Sequence, residues 1–157
     1  MSQISIVSHS GLFLSLRAIS RSRSTLSSVS LRVGMITCRS EQSVLKEIEA
    51  FTHDPEFKGY VHDVGGPSAN FRGNYCEKAK KAGVCKGKNC LTPSVCRNMK
   101  VDHREYLRLL KEVEAVPGVK KVFVRSGLRY DYMLADPSDD FFYKIVADHV
   151  SGQLKVA

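Results

Sequence analysis

The stretch GYVHDVGGPSANF, residues 59–71, decides how the rest of the chain is read. Its first half reads as a short buried strand over 60–64, and Gly65, Gly66 and Pro67 as the turn that ends it. Two glycines directly after a buried strand let the backbone approach a ligand closely. A tight turn that serves only the fold explains the same two residues, so the surroundings have to decide between the readings. His62 and Asp63 stand beside that turn and are candidates by position.

Downstream, helices and strands alternate. Asp102 and Glu105 resemble a capping box, and Tyr106, Leu107, Leu110 and Val113 form the apolar stripe of a helix. Pro117-Gly118 ends it. VKKVFVRSG, residues 119–127, reads as a strand, with its core over 120–125. Asp136 and Pro137 have the chemistry of a helix N-cap and first turn, ahead of Phe141, Phe142, Ile145, Val146 and Val150 on one side. Ser151-Gly152 stops that helix and QLKVA begins another strand over 154–157, so the text stops in mid-strand. This alternation predicts an α/β fold of βα units with parallel strands. Arg125, Ser126, Arg129, Tyr130 and Asp131 cluster at the end of the strand at 119–127, where α/β barrels place functional side chains. His103, in the first turn of a helix, is a surface residue on this reading.

Upstream, Ser40 is an N-cap and Glu41 favours the first turn of a helix whose Val44, Leu45, Ile48 and Phe51 share a face. Before it lies a different text. Residues 1–40 hold twelve serines and five arginines and no acidic residue. RAISRSRSTLSSVSLRVG, residues 17–34, has no apolar period, so residues 10–34 are expected to be poorly ordered or arbitrarily helical.

The formal net charge of +8 is uneven: residues 1–40 contribute +5 and residues 76–100 contribute +6, so the rest is net −3. A nucleic-acid-binding domain carries its basic residues as a stripe across the folded surface. Here they sit in two special segments, so nucleic acid is not the favoured partner. No stretch approaches a membrane span, and no secretory signal pattern is present. The expected location is therefore cytoplasmic. At 157 residues and 43% hydrophobic content the chain is of single-domain size and can bury a core without staples.

CEKAKKAGVCKGKNCLTPSVC, residues 76–96, interrupts the α/β pattern as an insertion over 72–101. Cys76, Cys85, Cys90 and Cys96 are spaced C-x8-C-x4-C-x5-C, which is not the paired C-x2-C of a zinc ribbon. The segment has no helical or strand period. Lys78, Lys80, Lys81, Lys86 and Lys88 would offset the negative charge of a four-thiolate centre, and Gly83, Gly87 and Pro93 supply bends. A metal centre, zinc or iron–sulfur, is the favoured reading. A pair of disulfides and inert buried thiols are the alternatives.

CRSEQSVLKEIE, GYVHDVGGPSANF, GVCKGKNCLTPSVCRN, DHREYLRLL, PGVKKVFVRSGLRYDYMLAD and HVSGQLKVA together resemble the YgiQ-type radical SAM proteins, from about Met35 to Ala157. The resemblance implies a portion of a radical SAM partial (βα) barrel with a cysteine-rich insertion. Such enzymes use a 4Fe–4S cluster to cleave S-adenosylmethionine reductively, giving a 5′-deoxyadenosyl radical. Three cysteines in C-x3-C-x2-C hold three irons, and the fourth iron takes the amino and carboxylate groups of the cofactor. The glycine turn after the second strand touches the methionine moiety. Gly65, Gly66 and Pro67 stand at that place, as cofactor-binding residues implied by the resemblance. The substrate is not implied. The cysteines of the insertion would form a second centre, distinct from the cluster.

In the family the cluster motif follows the first strand, which QISIVSH, residues 3–9, resembles. Here no cysteine stands from His9 to Thr37, and Cys38 comes too late. Without three thiolates the catalytic cluster has no site. A frameshifted or misassembled coding stretch between His9 and Met35, a degenerate relative and a transit peptide each account for the serine- and arginine-rich run. The first is favoured, because family-like text stands on both sides. The resemblance thus implies an incomplete piece of a radical SAM enzyme, expected to be inactive as written, with a non-enzymatic metal-binding module as the alternative.

Overall fold

The computed structural model describes residues 24–27, 29–32, 35–66, 68–73, 75–83, 85–87 and 90–156. The chain is mixed α/β. Strands β1 (Ser24–Ser27), β4 (Tyr60–Gly65) and β5 (Lys121–Val122) form a parallel sheet in the order β1-β4-β5. Strands β2 (Val29–Arg32) and β3 (Met35–Cys38) form a separate antiparallel pair. The helices are α1 (Glu41–Thr52), α2 (Glu77–Ala82), α3 (Arg104–Glu114), α4 (Tyr130–Leu134) and α5 (Asp140–Lys144), the last continuing into a π-helical turn over Ile145–His149.

The two longest helices form where the apolar spacing requires them. Ser40 caps α1, its hydroxyl oxygen accepting from the Ser43 N–H at 3.3 Å. Val44 and Ile48, one turn apart, are fully buried, and Leu45 and Phe51 lean on the same core. In α3 the buried stripe is Tyr106, Leu109, Leu110 and Val113. These two stripes meet Val61 and Val64 of β4 and Val122 of β5 in one core, which Val124, Leu128, Phe141 and Ile145 complete. Arg108 of α3 reaches Glu41 in the first turn of α1 at 2.6 Å, tying the exposed edges of the two helices together.

Six expectations are corrected. Residues 24–27 and 29–32 are strands, although the text around them has no apolar period. Strand formation needs only backbone partners, and β1 finds them in β4, pairing Thr25 with Asp63 and Leu26 with Val64. The expected first strand at 3–9 lies outside the described residues. The strand at 119–127 is ladder-bonded only at Lys121–Val122, yet it stays alongside β4 through Phe123, whose N–H donates to Val61 at 2.8 Å. The helix expected from Asp136 begins only at Asp140, as α5 and its π-helical continuation, and a separate short helix, α4, precedes Asp136. Asp102 does not cap α3. Its carboxylate takes the Arg104 N–H at 2.9 Å, and His103 is the residue at the cap position. Finally, the insertion does contain a helix, α2. The strand expected at 154–157 is a single parallel bridge between Leu128 and Val156.

Among the described residues no helix is long and apolar enough to cross a membrane. Leu109→Ala should lower the unfolding free energy by about 2–5 kcal/mol, because Leu109 is wholly buried between α3 and the sheet. Lys111→Ala, on the exposed side of the same helix, should change it by no more than about 0.5 kcal/mol. Urea titration of both variants checks this pair.

Candidate functional site

The functional geometry gathers where β4 and β5 run out. Parallel strands that diverge leave peptide N–H groups with no ladder acceptor, and buried donors need partners. Asp63 supplies them. Its Oδ1 accepts from the N–H groups of Arg125 at 2.9 Å and Ser126 at 3.1 Å, and its Oδ2 accepts from the Ser126 hydroxyl. The Ser126 Oγ in turn accepts from the Gly66 N–H at 2.9 Å. One carboxylate and one hydroxyl therefore clasp the end of β4, the glycine turn and the segment after β5.

This clasp explains why Gly65 must be glycine. A Cβ there would lie 2.4 Å from the Ser126 Oγ, closer than any real contact. The close approach that the glycine pair permits is thus made, in this structure, by Ser126. Gly66 adds a backbone conformation, φ 138°, that side chains disfavour. Pro67, the third residue expected at the cofactor, lies outside the described residues.

Beyond the turn the loop is held by a buried polar relay. The Asn70 carboxamide takes both peptide groups of Arg129: its Oδ1 accepts from the N–H at 2.7 Å and its Nδ2 donates to the carbonyl at 3.0 Å. The same Nδ2 donates to Nε2 of His103 at 3.1 Å, while Nδ1 of His103 bonds the Asp136 carboxylate. His103 is 1% exposed and stacks on Phe141 with ring centroids 4.0 Å apart. It is therefore a core residue and not the surface residue expected. Burial lowers its pKa, against the opposing pull of Asp136. The neutral ring is the form that fits: Nδ1–H donates to Asp136 and Nε2 accepts from Asn70. With both nitrogens engaged, His103 has no lone pair for a substrate proton, and it serves as a latch between the glycine loop, α3 and the α4–α5 connection.

The cluster after β5 is divided. Ser126 belongs to the clasp. Arg129 chelates Asp131, with Nε to Oδ1 at 2.9 Å, and this bond holds the Asp131 carboxyl below its ordinary range. The Arg129 guanidinium also lies 5.8 Å from the Phe71 ring centre. Arg125 leans on Phe123 and reaches the Ser151 hydroxyl at 3.2 Å. Tyr130 is exposed. His62 stacks on Phe123 at 6.4 Å. Sequence reasoning missed Asn70 and Tyr106, whose hydroxyl donates to the Val64 carbonyl at 2.6 Å. Asn70 had one available signal: an amide-bearing residue between Ala69 and Phe71 in a loop too apolar to lie on the surface.

The cysteine insertion is closed at its base, where the Lys100 N–H donates to the Tyr75 carbonyl at 2.8 Å. Cys76 is buried and occupies the N-cap of α2, its Sγ accepting from the Ala79 N–H at 3.4 Å. Cys85, Cys90 and Cys96 are half-buried. Among the described residues no three histidine, cysteine, aspartate or glutamate side chains converge as a metal site, so the four thiols are not gathered in this conformation. The C-x3-C-x2-C ligand set of a radical SAM cluster is absent from the whole sequence, whose five cysteines stand at 38, 76, 85, 90 and 96. The residues present do not fit that cluster.

Two outcomes are expected from this geometry. Gly65→Ala should destabilise the chain by about 1–3 kcal/mol through overpacking against Ser126. Combined with Ser126→Gly, its added cost should shrink, which a double-mutant cycle in urea measures. The second concerns pH. Because the folded pKa of His103 is depressed, its contribution to stability is complete above the unfolded value of about 6.5 and is lost as pH falls through the folded value. His103→Gln should therefore flatten the stability profile between about pH 7 and pH 5 relative to the parent.

No family model matches the chain, and no solved structure matches it. Curated relatives do. The chain is 58% identical over 123 residues to a UPF0313 protein of Clostridium perfringens strain SM101, and 52% identical over 123 residues to one of Clostridium botulinum strain Okra. In both cases the match covers 78% of this chain and 19% of the relative. The chain thus spans about a fifth of the length of the UPF0313 proteins that it matches, and over that span it is closely similar to them.

Proposed function

We propose that this chain is a segment of a YgiQ-type radical SAM protein, the family that the name UPF0313 denotes, and that it supplies the glycine turn facing S-adenosylmethionine. The observation that carries the reading is the clasp of Asp63, Ser126 and Gly66, which fixes a glycine pair at the C-terminal edge of parallel strands. That edge is where open α/β sheets and barrels bind ligands. Reductive cleavage of the cofactor is the chemistry that an iron–sulfur cluster supplies. This chain has no ligand set for it, so as written it does not perform that step. What its own residues do is hold the turn: Asp63 satisfies the strand-end amides, Ser126 fills the space above Gly65, and Asn70 sets the loop that follows.

The test is a graft. Residues 35–157 replace the matching segment of the full-length Clostridium perfringens protein, which is then reconstituted anaerobically with iron and sulfide. Cofactor cleavage within about tenfold of the parent is expected, a rise of no more than about 1.4 kcal/mol in the barrier. A graft that keeps its cluster and cleaves nothing overturns the reading.

A second reading is a metal-binding module. Four cysteines within 21 residues favour it, in a segment with no apolar core of its own and a closed base. Binding would then gather thiols that the metal-free chain leaves apart. About one zinc, or about two to four irons with matching sulfide, is expected per chain, falling in Cys85→Ser and in Cys90→Ser. Equal metal content in parent and variants removes those cysteines as ligands.

A further inference from the structure

Two of the four insertion cysteines are brought together by the backbone. The Cys96 N–H donates to the Cys90 carbonyl at 2.7 Å, closing Cys90–Cys96 into a tight loop. A hydrogen bond between two peptide groups holds their Cα atoms on the order of 5–6 Å apart. A disulfide spans about 4.4–6.8 Å between Cα atoms, so the chain already sits within that reach. The loop borders a surface cavity that Pro93, Val95, Cys96 and Arg97 help to line, and both cysteines are half-buried. A small molecule can therefore reach Cys96, which lines that cavity. Cys76 is instead buried, and its sulfur accepts from the Ala79 N–H at the cap of α2.

We infer that Cys90 and Cys96 are a redox pair, oxidised by thiol–disulfide exchange with a low-molecular-weight disulfide. One thiolate attacks the small disulfide, forming a mixed disulfide and releasing one small thiol. The second thiolate attacks the protein sulfur of that mixed disulfide and releases the other. Two protein thiols and one small disulfide become one protein disulfide and two small thiols. Two electrons and two protons pass to the small molecule. Metal and disulfide would compete for the same thiols, so the pair is tested on metal-free protein.

The sequence makes the test direct. Trypsin cleaves after Lys88 and Arg97, so residues 89–97 form one peptide holding Cys90 and Cys96 and no other cysteine. The full chain, stripped with a chelator, is equilibrated anaerobically in mixtures of oxidised and reduced glutathione, alkylated, digested and weighed. The expected product is the 89–97 peptide two hydrogens lighter and unalkylated. It should exceed any link to Cys76 or Cys85 by about tenfold, which is about 30 mV in potential. Cys90→Ser should convert the same peptide to a glutathione adduct at Cys96. A peptide that stays fully alkylated in every mixture, or a dominant link to Cys76 or Cys85, overturns the assignment.

Discussion

The carboxylate of Asp63 is the constraint on which the site depends. Where β4 and β5 part, the amides of Arg125 and Ser126 lose their ladder partners inside the protein, and each buried donor left alone costs about 1–3 kcal/mol. A side chain of the right length at the end of β4 answers both and takes the Ser126 hydroxyl as well. That hydroxyl then has its oxygen free to accept from Gly66. The position of the turn is thereby set by the neighbouring strand and not by the turn's own sequence. Asn70 repeats the device five residues on from Gly65, using one amide to hold both peptide groups of Arg129. The glycine loop is pinned at both ends to the same downstream segment.

The helices α1 and α3 were legible because their information is local and periodic. Val44 and Ile48, or Tyr106, Leu110 and Val113, announce a buried face at helical spacing whatever lies opposite. The strand β4 and its glycine turn were legible for a similar reason. What the sequence hid was the use made of polar side chains by distant partners. Asp136 has the look of an N-cap, but its carboxylate serves His103 from one oxygen and the Ser138 N–H from the other at 3.0 Å, and the helix starts later. His103 looked like a surface residue because nothing beside it in sequence shows that Asn70 will meet its second nitrogen. Ser126 stood in a cluster of candidates, yet its role is architectural and follows only from the 2.4 Å gap above Gly65.

The serine-rich stretch illustrates the opposite failure. Periodicity reports side-chain burial, whereas strand pairing is made by the backbone, so β1 and β2 form where the side-chain pattern is silent. The insertion was misread in the same direction. Its helix α2 is short and presents no buried face; it is organised by a cap, a closed base and two glycines at positive φ, Gly83 and Gly87. None of these leaves a repeat in the sequence. The spacing of the cysteines was visible, but which of them approach one another was not, because the Cys90–Cys96 contact is made by peptide groups.

Loop length says what kind of link that pair would make. The entropy lost on closing a chain grows only with the logarithm of its length, so joining cysteines six positions apart is easy, and easier still when a hydrogen bond already closes the loop. For the same reason the link removes little freedom from the unfolded chain, on the order of 2 kcal/mol on the chain-entropy account, and less than a link from Cys76 to Cys96 would. A bond that forms readily and stabilises little is poorly suited to being a staple and well suited to being reversed. Its effect would be local: it would fix the rim that Pro93, Val95 and Arg97 form beside the base of the insertion, and leave the core under β4 and α3 untouched.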